Sequence, residues 1–326
     1  SMREHPTRGG PQAGVTLVEL TGARAIGLFL IGGALYVYNQ SRNSYRASDS
    51  LARLQESARF GLDTLEPDIR LARYWGLNAS PARIDVPPTV VATCSGVPAV
   101  WALADLSAAV ESRDDGYDLD CDTFNDAPRE RSDVLILRHA EPWQAGVEPA
   151  PSNRRVQVQT TLARGQVFDD GIAPLGADAS THNVAVNVYY VSNESSFDPA
   201  LPSLRRLALG PNGEFDDEEI IPGVENLQVQ LGVDTNRDGN VDRYVDGDHP
   251  LVMPGSPGFA PDGQVVAVRL WMLVGTPADD PAWVDEQSYA TPDADLGDIV
   301  AGSDGYPAGY RRLQVAKTIY LNNEGA

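Results

Sequence analysis

Residues 14–20 read GVTLVEL and run directly into TGARAIGLFLIGGALYVY at residues 21–38. As a helix with a rise of about 1.5 Å per residue, the apolar segment 15–38 would extend for about 36 Å. That length is sufficient to cross a hydrocarbon core of about 30 Å. A carboxylate alone in hydrocarbon is costly, so Glu19 is expected to have both a function and a partner. The stretch therefore predicts a membrane anchor with one functional acid near its start.

The residues before this apolar segment indicate its orientation and its processing. The polar leader, residues 1–14, carries Arg3 and Arg8, and the positive-inside rule places such a leader on the cytoplasmic side. The chain after Tyr38 is therefore expected to be exported. A secretory signal has its small-residue cleavage site after the apolar stretch, whereas here Gly14 precedes it. Cleavage at Gly14 would leave the apolar segment in place as an anchor.

The sequence GVTLVE resembles the prepilin processing site of type IV pilins and type II secretion pseudopilins. The resemblance implies cleavage between Gly14 and Val15 by a prepilin peptidase, N-methylation of Val15, and a mature chain in which Glu19 is the fifth residue. It also implies that Glu19 pairs with the N-terminal amine of a neighbouring subunit during assembly. This agrees with the large gain that two poorly solvated opposite charges obtain from pairing. The alternative is that Glu19 lies at the headgroup level of an ordinary anchor.

Two residues depart from the pattern of that family. Val15 stands where the mature chain usually begins with Phe, and Arg24 lies inside the apolar helix. A central arginine costs about 2.5–3.5 kcal/mol on insertion scales. Arg24 follows Glu19 by five residues, which is a poor spacing for an ion pair within one helix.

Beyond the membrane segment, residues 48–75 are predicted to continue as an amphipathic helix, because apolar residues recur at spacings of three and four. Pro67 is expected to kink or interrupt this helix near its end. From about Ile84 the pattern changes to short strands, and alternating polar and apolar residues predict sheets with one solvated face. Residues 278–309 form a long polar loop. The predicted strands cover residues 133–139, 155–160, 184–191, 204–209, 225–233, 265–274 and 311–321.

Residues 52–76 resemble the stem of the PilW family of minor pilins, and two later segments, 222–245 and 265–274, extend the resemblance into the head. Together these features imply an α+β, pilin-like fold in which a long N-terminal helix packs on a β-rich globular head with long loops. The predicted organisation is a leader at 1–14, a transmembrane assembly helix at 15–38, an amphipathic stem helix at 39–76 and a periplasmic head at 77–326.

The composition limits the partners of the exported head. The chain has 46 acidic and 25 basic residues, a formal net charge of −21. Such a surface repels nucleic acid and anionic lipid headgroups. Of the two cysteines, Cys94 and Cys121, neither belongs to a CxxC motif, and the scattered histidines lack zinc-ligand spacing. In an exported head the two cysteines are expected to form a disulfide, whereas in a cytosolic protein they would be unrelated thiols.

No sequence motif indicates catalysis, since the chain lacks a nucleophile elbow, a phosphate-binding loop, a zinc-protease HExxH and a dinucleotide fingerprint. The chain is therefore predicted not to be an enzyme.

One loop could bind calcium. Residues 234–242 read DTNRDGNVD, which matches the first nine positions of an EF-hand-like loop. The twelfth position is Val245 instead of a bidentate acid. The alternative is a hairpin turn in which Asp, Asn and Gly supply turn geometry. In a calcium site the ligands would be Asp234, Asn236, Asp238, Asn240 (through its carbonyl) and Asp242.

The resemblance implies a minor pilin that is held in the inner membrane with a periplasmic head and then enters a complex at the pilus tip that primes assembly. Its partners would be other minor pilins, the major pilin and a large tip adhesin, with roles in twitching motility or cell adhesion. The alternatives are a J-type minor pseudopilin of a type II secretion system and a membrane-anchored periplasmic binding protein or enzyme. Gene neighbourhood separates the first two, and N-terminal sequencing of the membrane-extracted protein tests the third.

Overall fold

The computed structural model of the chain describes residues 14, 16–78, 80–259, 265–280, 283–303 and 305–321. These belong to two compact units, Ser1–Leu51 and Ala52–Ala326, and each is described by itself. The boundary lies within the predicted stem segment 39–76. One long helix, α1 (Leu17–Leu71), begins in the first unit and ends in the second.

The first unit contains the N-terminal part of α1. Among the described residues, α1 is the one helix that is long and apolar enough to cross a membrane. Its apolar side chains, such as Phe29 and Ile31, are exposed. This is what a membrane-spanning helix requires, because lipid takes the place of a protein core around it.

The second unit, the head, contains sixteen strands in its described part, most of them between residues 84 and 320 in antiparallel pairs. Short 3-10 helices lie at Pro81–Arg83, Val100–Ala102 and Phe124–Asp126. The strands are β1 (Ile84–Asp85), β2 (Thr93–Cys94), β3 (Val97–Pro98), β4 (Val110–Arg113), β5 (Val134–Ala140), β6 (Asn153–Thr160), β7 (Gly165–Asp170), β8 (Ser180–Ser192), β9 (Ser203–Leu209), β10 (Phe215–Pro222), β11 (Val224–Val233), β12 (Arg243–Val245), β13 (Val265–Gly275), β14 (Ser288–Tyr289), β15 (Ile299–Val300) and β16 (Arg312–Tyr320).

Two larger sheets form the body of the head. The first sheet has the order β1-β7-β6-β8-β5-β4, with β9 paired to β8 and β10 paired to β9. The second sheet has the order β12-β11-β13-β16 and is antiparallel throughout. The pairs β2–β3 and β14–β15 form two small additional sheets.

The predicted α+β class, a long N-terminal helix with a β-rich head, is confirmed. Each of the seven predicted strands corresponds to an observed one within three residues at most ends. The 13-residue β8 is longer than predicted, because its two halves pair with different strands, β6 and β9. Several strands were not predicted. Most of them span only two to four residues, namely β1, β2, β3, β4, β12, β14 and β15. A longer one, β10, has the polar sequence FDDEEIIP, which gives little indication of a strand.

The prediction of one solvated sheet face came from the alternation in residues 155–160 and 184–191 and is wrong for the centre of the first sheet. All but one residue of β8, and every residue of the neighbouring β5, are buried. One face of β5, with Leu135 and Leu137, packs in the core that includes α1 and the second sheet. The other face, with Val134 and Ile136, packs under the chain that precedes β4, including Trp75 and Leu106. That irregular segment covers the face that the alternating pattern predicted to be in water.

The stem helix ends earlier than the predicted residue 75. Pro67 lies inside α1, and the helix ends at Leu71, about one turn later. Arg73 then adopts a left-handed backbone with φ of 74°, and the chain turns so that Trp75 is buried in the head. Trp75 therefore belongs to the apolar core of the head and not to the helix.

The head-side part of α1 packs through one face in the core that both larger sheets line. Leu54, Ala58, Leu65 and Ile69 are buried on this face. Gly61 lies among them, where an added Cβ would be 2.8 Å from Ile221 Cδ1 and 3.2 Å from Met272 Cε. A side chain at residue 61 would therefore push α1 away from Ile221 of β10 and Met272 of β13.

A buried arginine holds the long loop between β13 and β16. Arg312 Nη2 lies 3.1 Å from Glu225 Oε1, and Arg312 Nη1 lies 3.1 Å from Asp285 Oδ2. The same guanidinium donates to the carbonyl of Pro307 at 2.8 Å. The predicted polar loop 278–309 thus contains β14 and β15 and is tied to the second sheet by charge-assisted hydrogen bonds.

Cys94 and Cys121 form a disulfide in the structure, with a Cα–Cα distance of 5.3 Å. The sequence separation of 27 residues corresponds to about 3–4 kcal/mol of stabilisation in the chain-entropy model. The bond closes the irregular segment that covers the first sheet, so it stabilises a region with little regular secondary structure.

Asp68, near the end of α1, forms a buried polar cluster with the first sheet. His139 Nε2 lies 2.6 Å from Asp68 Oδ1, Asn187 Nδ2 donates to both carboxylate oxygens at 3.0 Å, and the Tyr189 hydroxyl donates to Oδ2 at 3.0 Å. The other ring nitrogen of His139 faces the carbonyl of Ala140 at 3.0 Å. Both ring nitrogens therefore face acceptors, as a protonated imidazole requires.

The charge state of this cluster makes stability depend on pH. Burial of the imidazole lowers the pKa of His139, but the hydrogen bond and the charge of Asp68, with smaller contributions from Ala140 and Glu141, outweigh burial and raise it. A raised pKa in the folded state stabilises the fold fully below about pH 6.5, the unfolded value, and this contribution is lost as the pH rises through the folded pKa.

We predict that His139→Gln removes this pH dependence and lowers the free energy of unfolding by about 1–3 kcal/mol at pH 6. Denaturant unfolding of the full chain in detergent, measured from pH 5 to 9, tests this. His249→Asn, outside the cluster, is the matched control and should retain the wild-type slope. Equal slopes for wild type and His139→Gln would contradict the prediction.

Candidate functional sites

The predicted processing site lies at the start of the first unit. Gly14 is exposed, whereas Val15 lies outside the described residues, so cleavage and N-methylation there stay predictions. α1 begins at Leu17, so Glu19 falls in its first turn. An acid in the first turn is favoured by the helix dipole.

Glu19 has a partner within its own chain. The backbone N–H and the hydroxyl of Thr16 donate to Glu19 Oε2 at 3.0 and 2.8 Å, and the N–H of Glu19 faces Thr16 Oγ1 at 3.3 Å. This reciprocal arrangement is a capping box, which satisfies N–H groups that the first turn of a helix leaves unpaired. Sequence reasoning missed it, although the spacing T-x-x-E at the start of an apolar run was a sufficient signal.

The capping box leaves room for the predicted intersubunit role of Glu19. Its hydrogen bonds converge on one carboxylate oxygen, Oε2, and the side chain is exposed. A carboxylate can accept several hydrogen bonds on its two oxygens, so an amine could bind without breaking the cap. Pairing of Glu19 with the amine of a neighbour remains a prediction.

Arg24 is exposed and makes no hydrogen bond or ion pair with any of the described residues. The structure therefore gives no internal partner that would offset the cost of this charge in a membrane.

The candidate calcium loop connects β11 to β12, which pair as an antiparallel hairpin. The N–H of Asp242 donates to the carbonyl of Val233 at 2.9 Å and closes the loop. Asp234 is buried, and its carboxylate accepts the N–H groups of Arg237 and Gly239 at 2.6 and 2.7 Å. Gly239 has φ of 84°, a conformation in which glycine is favoured.

The structure brings three of the predicted ligands together. Asn236 Nδ2 lies 3.3 Å from Asp238 Oδ2 and 3.3 Å from Asp242 Oδ1. Hydrogen bonds from the hydroxyl and the N–H of Thr235 hold the pKa of Asp242 below its ordinary value. Asn240 turns toward Asp238, with Nδ2 3.0 Å from Oδ1. Asn236 Oδ1 accepts the N–H of Asp238 at 2.8 Å, so the amide is oriented with its nitrogen, and not its oxygen, toward the two carboxylates.

The far end of the loop does not complete an EF-hand. Val245 is buried in β12, opposite Leu231, and Asp246 accepts a hydrogen bond from Gln230 Nε2 at 3.0 Å. Within the described parts of the chain, no group of three or more His, Cys, Asp or Glu side chains is arranged to hold a metal. The hairpin turn therefore explains the backbone, and calcium binding stays a prediction.

A calcium site in this loop would make stability depend on the ion. We predict that a chelator lowers the melting temperature of the full chain in detergent and that Asp238→Ala abolishes this sensitivity, because a ligand that binds only the folded state stabilises it. Asp178→Ala, an exposed acid outside the loop, should respond as wild type does. Calorimetric titration with calcium that gives no heat, together with unchanged melting, would leave only the turn.

Comparison with known proteins gives one family match. The model of the family "Type IV Pilus-assembly protein W" (PilW) matches residues 188–323, which is less than half of the chain. The matched region runs from the C-terminal part of β8 through β16 and includes the candidate calcium loop. A search of curated proteins found no significant match.

Among solved structures, a type IV-like pilin from Thermus thermophilus has 11% sequence identity and a TM-score of 0.36. The alignment covers 83% of this chain and 96% of that chain. The PilW match includes the head segments 222–245 and 265–274, so the resemblance drawn from those segments is confirmed: over residues 188–323 the chain is similar to the PilW family.

Proposed function

We propose that the protein is a minor pilin that joins a complex at the pilus tip and primes assembly of a type IV pilus. It would reside in the inner membrane through α1, with its head in the periplasm, before it enters the fibre. Its partners would be other minor pilins, the major pilin and a large tip adhesin, and a prepilin peptidase would process it. Effects on twitching motility and cell adhesion would follow from its role in assembly.

The observation that carries this proposal is the PilW-family match to the strands of the head, in a chain whose α1 begins with an apolar segment capped by Glu19. The match supports a role in pilus assembly. The size of the head supports the presence of only a few copies of the protein in each fibre. Residues 77–326 with their long loops make a bulky head, which is difficult to repeat at every position of a helical fibre and easier to place at its end.

Processing and pairing at the N-terminus can be tested together. We predict that the mature chain begins at N-methylated Val15, as measured by mass spectrometry, and that Glu19→Ala leaves cleavage intact but impairs incorporation into fibres. Glu19→Gln separates the two roles of the side chain, because Gln preserves a capping box but cannot pair as a charge. An intact leader in a host with active peptidase, or full incorporation of Glu19→Gln, would contradict the prediction.

The role at the tip predicts a disproportionate effect of gene deletion. The number of surface pili should fall far more than the low abundance of the protein in fibres accounts for, and immunogold particles should label few sites near fibre ends. The full-length gene supplied in trans is the control for the deletion. Dense labelling along fibres, or normal piliation without the gene, would contradict a minor tip subunit.

A further inference from the structure

In the part of the chain that the structure describes, no strand pairs with the outer edge of β16. β16 is the last strand of the second sheet and pairs with β13 from Arg312 to Tyr320 without a bulge. The flanking hydrogen bonds, Leu321 N to Val266 O and Thr276 N to Arg311 O, fix which groups face β13. Because these groups alternate along a strand, the backbone of Gln314, Ala316, Thr318 and Tyr320 faces away from β13.

The opposite edge of the same sheet, along β11, is covered by side chains and by β12. The Ser132 hydroxyl and the Asp133 carboxylate accept the N–H groups of Leu227 and Val229 in β11, at 3.1 and 2.7 Å. β12 pairs with the rest of that edge. β16 has no such cover among the described residues and carries neither proline nor a bulge, two of the usual protections of an exposed edge. A third protection, a lysine, is present as Lys317, but its ammonium is paired with Glu66 of α1.

A groove runs along the open edge on the side that faces α1. It has a volume of about 370 Å³. Its apolar lining comes from Ala58 and Leu62 of α1 and from Leu313 and Val315 of β16. The helix therefore extends beyond the last strand of the sheet, and a further strand beside β16 would place alternate side chains in this groove.

The charges around the edge indicate the kind of segment that fits. The four outward residues of β16 carry no charge, and all four are exposed. In the groove, Lys317 pairs with Glu66 at 2.5 Å, and Arg59 lies 3.4 Å from Asp63. With these charges paired, a charged segment would gain no counter-ion there. An uncharged one, with aliphatic residues at alternate positions, matches the edge and the groove.

A second copy of the chain is a poorer occupant. The formal net charge of −21 on each copy opposes association of two identical heads. We propose that the outer edge of β16 docks an extended, uncharged segment of a different pilus subunit, which adds to the second sheet as its fifth strand. This inference rests on the proposed function and specifies how the head binds a partner in the assembly.

Proline substitution tests the edge, because the N–H groups of Ala316 and Thr318 face outward and are not needed for pairing with β13. In the native host, Ala316→Pro and Thr318→Pro should reduce the amount of protein in sheared fibres by roughly tenfold relative to membrane levels. The matched variants Ala316→Ser and Thr318→Val keep the N–H and should behave as wild type. Melting of each purified full chain in detergent should be unchanged.

A photo-crosslinking amino acid at residue 318 identifies the occupant independently of the proline variants. The expected crosslinked peptide, mapped by mass spectrometry, comes from another pilus subunit and has aliphatic residues at alternate positions. Crosslinks to residues 312–320 of a second copy, or none in assembled fibres, would overturn the proposal. If wild-type protein is absent from fibres, the proposed function is overturned together with the docking proposal. If the proline variants enter fibres as well as wild type does, only the proposal of docking at β16 is overturned.

Discussion

The carboxylate of Asp68 determines how the head is assembled around the end of α1. A buried carboxylate is tolerated only when donors surround it, and here His139, Asn187 and Tyr189 supply them from two neighbouring strands of the first sheet. Leu65 and Ile69, which lie close to Asp68 in α1, pack in the core that includes the second sheet. The polar contacts thus hold the end of α1 on the first sheet, while its apolar side chains and Gly61 allow close packing against β10 of the first sheet and β13 of the second.

Local features of the fold could be predicted from the sequence because their signals are short in range. The apolar segment, the spacing of Leu54, Ala58 and Leu65, and the strands of β-branched residues all follow from periodicity within about fifteen residues. The T-x-x-E capping box at Thr16 also lies within this range. In contrast, His139 and Tyr189 follow Asp68 by 71 and 121 residues, and no local pattern indicates that they meet.

The limits of prediction at the candidate calcium loop have a different cause. The sequence predicted five candidate ligands in this loop, with a hairpin turn as the alternative, and in the structure Asn236 Nδ2 lies 3.3 Å from both Asp238 Oδ2 and Asp242 Oδ1. The same contacts also satisfy a turn, because Asp and Asn side chains that could bind a cation equally accept backbone N–H groups. Composition of the loop cannot distinguish these roles. Only the response to an added or removed ion separates them.

The two edges of the second sheet differ among the described residues, since the β11 edge is covered and the β16 edge is open. A monomer that had only to stay soluble would gain from covering β16 as it covers β11, where Ser132 and Asp133 bond the strand from 95 and 96 residues away. An open edge carries a risk of non-specific pairing, which is acceptable when a specific strand occupies it in the final complex. Ala58 and Leu62 of α1 line the groove beside this edge, so a strand that paired with β16 would place apolar side chains against them. The apolar groove would therefore favour an uncharged segment, while the net charge of −21 on each chain opposes a second copy.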